Sequence, residues 1–136
     1  MAKAEAGPVR PVSPHLTIFR PYINMVMSIV HRATGVGNYF GTVLITAWLA
    51  CAAAGPDSFA TASEIAGSPL GLIILLLYSW SLIHHALGGI RHFIWDTGRA
   101  FDKASVRTLS WATLFGSLSL TIILWFIILT KIGVLA

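Results

Sequence analysis

The chain has 136 residues, 56% of them apolar and 10% charged, with a formal net charge of +4. A water-soluble domain of this size has too little interior to hide so much hydrocarbon. The basic residues flank the apolar runs instead of forming a patch interleaved with exposed aromatics, which argues against nucleic acid as a partner and for membrane lipid as the solvent.

Taken in chain order, residues 1–21 are a polar N-terminal segment. They contain no apolar stretch of the roughly 7–15 residues that a signal peptide needs and few cationic residues for a transit peptide. Direct insertion without cleavage is therefore expected, as is more typical of a bacterial protein than of a mitochondrial precursor. The first span is predicted over about 22–54, opened by Pro21, whose ring suits a helix start, and ended by Gly55-Pro56-Asp57. Cys51, the only cysteine, lies inside this run and can form no intrachain disulfide, so it is expected as a small packing residue. In the following loop, Thr61 to Glu64 are expected to cap a short interfacial helix. Ser68 and Pro69 supply an N-cap and first-turn pair for a second span over about 70–95. A third is predicted over about 109–130, closed by Lys131 and Gly133. Each run approaches the roughly 20 residues that cross a bilayer core, and no sustained alternation speaks for a β-barrel. The expected fold is an all-α integral membrane domain over residues 1–136, with three transmembrane helices in a heteromeric bundle.

Lys3, Arg10, Arg20 and Arg32 precede or open the first span, and Arg91, Arg99, Lys103 and Arg107 surround the second loop. The first loop has Asp57 and Glu64 but no Lys or Arg, and the C-terminal tail has only Lys131. Because basic loops stay on the cytoplasmic side, the N-terminus is expected inside and the C-terminus outside.

Polar groups at membrane depth are expensive and are functional candidates by default. The second span carries His84-His85-Ala86-Leu87-Gly88-Gly89-Ile90-Arg91-His92. His85 and His92 share a helix face, about 10 Å apart along the axis, so they cannot bind one iron from opposite sides. A haem on either would need its other axial ligand from a different helix. His85 is the deeper of the two, and Gly88 and Gly89 leave room beside it for a flat macrocycle. His31, Arg32, Arg91 and His92 are placed near the inner surface, where propionates would need cationic partners. On the first span, Ser28 and Arg32 are i and i+4 and share a face. A hydroxyl and a fixed guanidinium could cradle a quinone carbonyl, the guanidinium orienting and polarising without giving up its proton. Spacing alone leaves other readings open: the histidines as packing groups in a haem-free structural anchor, His31 paired with His92 in a self-contained haem protein, and Arg32 as a headgroup anchor. Gly37 with Gly41, Ala112 with Gly116, and the stripe Thr113, Ser117 and Thr121 are packing signals. Tyr22, Trp95 and Trp111 fall where interfacial belt anchors are expected, while Trp48, Trp80 and Trp125 need only a packing role.

Three segments in order, Arg10-Pro11-Val12-Ser13-Pro14-His15-Leu16, Ser28-Ile29-Val30-His31-Arg32-Ala33-Thr34-Gly35, and His85 through Asp96, resemble the signature segments of succinate dehydrogenase cytochrome b556 subunits. The resemblance spans roughly residues 10–130. It implies a membrane anchor of succinate:quinone oxidoreductase, without a complete active site of its own; the N-terminal segment favours the inner membrane of a bacterial cell over that of a mitochondrion. The resemblance also implies a second small membrane anchor, an iron-sulfur subunit and a flavoprotein subunit as partners. Haem b would be ligated by His85, with His84 the fallback one residue away and the opposite histidine on the other anchor. His31 would lie on the propionate side, and Ser28 and Arg32 in the ubiquinone site. An anchor of a quinol:fumarate reductase is the neighbouring alternative.

Overall fold

The computed structural model describes residues 11, 13 and 15–132; Lys3, Arg10 and Gly133, used above, lie outside them. The described chain is all helical: α1 (Ile23–Ala54), α2 (Pro56–Gly67), α3 (Pro69–Asp96) and α4 (Lys103–Lys131). At about 1.5 Å rise per residue, the 32, 28 and 29 residues of α1, α3 and α4 each exceed the roughly 30 Å hydrocarbon core. These are the three membrane spans expected from hydropathy.

The boundaries follow local chemistry. Gly55, at φ 124°, adopts a conformation that side chains resist and breaks α1 from α2. Pro56 then begins α2 at once, so the short helix is twelve residues long and starts well before the expected cap at Thr61–Glu64. Thr61 instead sits inside it, its hydroxyl donating to the Asp57 carbonyl at 3.1 Å. The proline already meets the first-turn requirement, because its missing N–H would have had no partner there. Ser68 caps α3 as expected, its Oγ accepting from the Gly71 N–H at 3.2 Å. Helix α4 begins six residues before the apolar run, at Lys103, because Asp102 Oδ1 accepts from the Ser105 N–H at 2.9 Å and caps it. Hydropathy marks the apolar part of a helix, whereas its hydrogen bonding continues to the cap.

Helix α3 packs on both α1 and α4, which also touch each other, and α2 folds back against α1 and α3. The interior is built from small polar residues: Thr34, Ser81, Ser110, Thr113, Ser117 and Thr121 are buried, and Met27 is the one buried large hydrophobe among the described residues. Ile29, Phe40, Phe115, Ile122 and Phe126 face outward. In lipid there is no hydrophobic drive to bury such side chains, so small residues set the helix contacts and apolar ones meet the acyl chains. Gly41 shows the device, since a β-carbon there would overlap the Tyr78 ring. The hydroxyls of Thr113 and Thr121 donate to carbonyls one turn back, at 2.8 Å each, and so present no unpaired donor to the seam.

Candidate functional site

The end of the bundle where α1 begins and α3 ends gathers four of the five histidines. In the α1/α3 seam the imidazoles of His31 and His85 stack with centroids 4.0 Å apart and planes 5° from parallel. His92 lies one step further along α3, its centroid 5.3 Å from that of His31. Two glycines admit this arrangement. A β-carbon at Gly88 would overlap the His31 ring, and one at Gly35 would stand 3.1 Å from His85 Cε1. Each helix thus inserts an imidazole into a notch in the other. The space expected at Gly88 for a macrocycle is taken by His31, whereas no atom comes within 4 Å of a β-carbon built on Gly89.

His85 Nδ1 lies 3.1 Å from the His31 carbonyl and 3.3 Å from Thr34 Oγ1. The Thr34 hydroxyl donates to the same carbonyl at 2.9 Å, so its own proton is already used. Since a carbonyl only accepts, Nδ1 must carry the imidazole proton, and Nε2 is left with its lone pair. His31 covers a face of the ring and leaves that edge nitrogen clear. Deeper in the seam, the Ser81 hydroxyl is directed at the Thr34 carbonyl (3.0 Å) and at Asn38 Oδ1 (2.7 Å), which continues the polar lining toward the bundle centre.

Ser28 and Arg32 lie beside His31 on the flank of α1 turned away from the buried Met27 and Thr34, at about 100° of rotation per residue. Ser28 is half-buried and Arg32 exposed. The rings of His31, His85 and His92 thus mark the groove between α1 and α3, and Ser28 and Arg32 stand on the α1 flank beside it.

His84 and Arg91 turn the other way. His84 is 1% exposed between α3 and α4, with Nδ1 3.0 Å from Ser117 Oγ. The Ser117 proton goes to the Leu114 carbonyl (2.9 Å), so Ser117 accepts from His84 Nδ1–H. The His84 Nε2 atom, beside the Trp80 ring, has no partner. Arg91, 3% exposed, donates from Nη1 to Ser110 Oγ at 3.4 Å, and its guanidinium carbon lies 5.2 Å from the Trp95 ring centroid. Among the residues expected on the propionate side, His31 and His92 meet between α1 and α3, Arg32 is exposed on α1, and Arg91 faces α4.

Sequence spacing missed Thr34, Asn38, Ser81 and Ser110. Thr34 follows His31 by one turn in the Ser28–Gly35 segment, and a helical wheel puts it on the α3 side of α1. Nothing in the spacing distinguishes Ser110 from the many other hydroxyls of α4.

A family model described as succinate dehydrogenase/fumarate reductase transmembrane subunit matches residues 7–124. The succinate dehydrogenase cytochrome b556 subunit of Rickettsia prowazekii is 35% identical over 123 residues, covering 90% of this chain and 96% of the relative. That of Paracoccus denitrificans is 39% identical over 114 residues, 84% of this chain and 88% of the relative. The mitochondrial succinate dehydrogenase cytochrome b560 subunit of Sus scrofa is 39% identical over 101 residues, 68% and 56% of the two chains. Three apolar spans together with bacterial relatives fit a multi-pass protein of a bacterial inner membrane. With its helical architecture and nearly its whole length matched, the chain belongs to the succinate dehydrogenase/fumarate reductase transmembrane subunit family.

Proposed function

We propose that the chain is the membrane-anchor cytochrome b subunit of a succinate:ubiquinone oxidoreductase, where it helps hold haem b and forms part of the ubiquinone-reduction site. The observation that carries this reading is the fixed imidazole of His85. Its Nδ1–H is committed to the α1 backbone at 3.1 Å, which leaves the Nε2 lone pair of this half-buried ring free for a ligand. Ligand histidines are characteristically oriented in this way, by donating the second ring N–H to a carbonyl.

In this reading His85 would hold the iron, and His31, Arg32 and His92 would supply donors on the propionate side, while Arg91, expected there from its position, is committed to Ser110 and Trp95 on the α4 side. When bound, haem b supplies a one-electron carrier. Because His92 shares a face with His85, a further histidine for the haem would have to come from another chain, and a second small anchor seated along the α1/α3 groove would supply it. Ser28 and Arg32, on the same groove, donate hydrogen bonds to a ubiquinone carbonyl. The guanidinium adds a fixed positive charge that favours electron density arriving on that oxygen. The basic residues at this end support a cytoplasmic orientation for it. The iron-sulfur and flavoprotein subunits that deliver electrons from succinate would dock there, and the C-terminus of α4 would emerge on the opposite side.

Affinity purification from native membrane, with identification of the copurifying subunits and a reduced-minus-oxidised spectrum, tests the reading. A b-type band and three further subunits are expected. An assembled complex without that band would leave a haem-free structural anchor. Faster turnover with fumarate and a low-potential quinol than with succinate and ubiquinone would assign the chain to a fumarate reductase.

A further inference from the structure

On a different side of the bundle, between the starts of α1 and α4, lies a cavity of about 760 Å³. Tyr22 and Asn24 line it from α1, and Phe101, Lys103, Val106 and Arg107 from the α4 side. Lys103 and Arg107 are i and i+4, so both cations project from one face of the first turns of α4. No carboxylate lines the cavity; the adjacent Asp102 has its Oδ1 turned to the Ser105 N–H as the helix cap.

Three observations point to one kind of ligand. The lining joins two cations to a phenol and a carboxamide, the donor set for a phosphodiester. Its level is that of the helix starts, where the apolar runs give way to polar chain and where phospholipid phosphates lie. Tyr22 and Phe101, both exposed, rim it as interfacial aromatics do. Its side is the α1/α4 side, whereas the histidine groove opens along α1 and α3. In the proposed function a partner anchor takes that groove and the soluble subunits meet the helix ends from the aqueous side, which leaves the α1/α4 flank to lipid.

We infer that this cavity binds the headgroup of an anionic phospholipid, with Lys103 and Arg107 pairing to the phosphodiester oxygens and Tyr22 and Asn24 donating to its polar shoulder. The preference for a lipid over a protein partner on this side rests on the proposed function; the phosphate chemistry does not.

The test uses the whole complex, purified in detergent and stripped of lipid. Its thermal midpoint is followed while it is titrated with short-chain phosphatidylglycerol, phosphatidylcholine or inorganic phosphate. Phosphatidylglycerol is expected to raise the midpoint saturably, the other two not. At the usual contribution of a basic residue near an anionic surface, the double variant K103Q/R107Q should bind phosphatidylglycerol roughly 30-fold more weakly, and each single variant about fivefold. An equal response to phosphatidylcholine would overturn the inference, as would an equal response to inorganic phosphate, which would make this a free-phosphate site. Wild-type phosphatidylglycerol affinity in the variants would do the same. Variants that keep that affinity but shed the soluble subunits would assign the face to a protein partner. The wild-type titrations need no variant, and the single variants locate the site if the double variant fails to assemble. A haem spectrum of the same wild-type preparation separates the two proposals, since a missing b-type band refutes the proposed function and leaves the headgroup titration standing.

Discussion

His84 and His85 are consecutive in sequence and about 100° apart on α3, and they enter two seams of opposite character. On the α4 side, His84 is sealed, donates to Ser117 at 3.0 Å and leaves Nε2 buried without a partner. On the α1 side, His85 is half-buried, donates to the His31 carbonyl and keeps Nε2 on a ring that is not sealed. Both rings have one committed nitrogen. What separates them is access to the other, and access decides whether a nitrogen can serve a cofactor or only packing. The same division holds one step along, where Arg91 is sealed against Ser110 and Trp95 while Arg32 stands exposed on the α1 flank beside the groove. In the proposed function ligand-facing chemistry therefore falls to the α1/α3 side and helix cohesion to the α3/α4 side.

The largest expected effect is the loss of the b-type absorption band from purified membranes carrying His85→Ala, with the band retained in His84→Ala. Loss in His84→Ala and retention in His85→Ala would reverse the assignment of the two seams. Retention in His85→Ala with loss in His92→Ala would instead favour His31 and His92 as the axial pair. Next is Arg32→Leu. Loss of one charge-assisted hydrogen bond, about 1.5–3 kcal/mol, predicts a roughly tenfold to hundredfold fall in ubiquinone reduction. Succinate oxidation by a dye accepting electrons upstream should stay near wild type. Equal loss of both activities would mean that Arg32 supports assembly and that the groove is not set apart from the sealed seam.

The three long helices were legible because crossing lipid demands long apolar runs, and their composition varies little with tertiary context. The twelve-residue α2 was placed too late because Thr61 and Glu64 imitate a cap, while the true start needed only Gly55 and Pro56. At the site, the types and depth of His31, His85 and His92 could be read from spacing. The interlock could not, because it depends on how closely α1 and α3 approach. Gly88 is the instructive position, since the sequence offers its empty side to a macrocycle and the fold gives it to the His31 ring. The partner of His84 was equally hidden, since any hydroxyl of the α4 stripe could have met it.

Smaller effects sharpen the contrast through stability. Gly88→Ala drives a methyl into the His31 ring and should destabilise the bundle by about 1–3 kcal/mol, as overpacking commonly does. Thermal unfolding of the detergent-solubilised complex measures this, and an unchanged midpoint would mean that the stack is not a fixed element. On the other seam, Ser117→Ala removes the acceptor for His84 Nδ1–H and leaves both ring nitrogens unpaired, at a cost of about 1–3 kcal/mol. His84→Met removes both ring nitrogens at once, leaves the Ser117 hydroxyl donating to the Leu114 carbonyl and should be near neutral. If His84→Met proves as damaging as Ser117→Ala, the buried ring contributes more than cohesion and the division between the seams fails.

The smallest effect lies at the start of α4, outside both seams. The Ser105 hydroxyl, followed by its backbone amide, holds the Asp102 carboxyl below the usual carboxylate range. A depressed folded-state value means that this cap contributes fully above the ordinary aspartate range and is lost as pH falls through the lowered value. Amide exchange in the first turn of α4 should therefore be pH-insensitive near neutrality, after correction for intrinsic rates, and should accelerate only in acid. In Asp102→Ala the same amides should exchange faster at every pH, with no acid step. Because the cap lies outside the described polar networks of both seams, neither change should disturb the b-type band; a spectral shift in Asp102→Ala would couple the α4 start to the histidine groove.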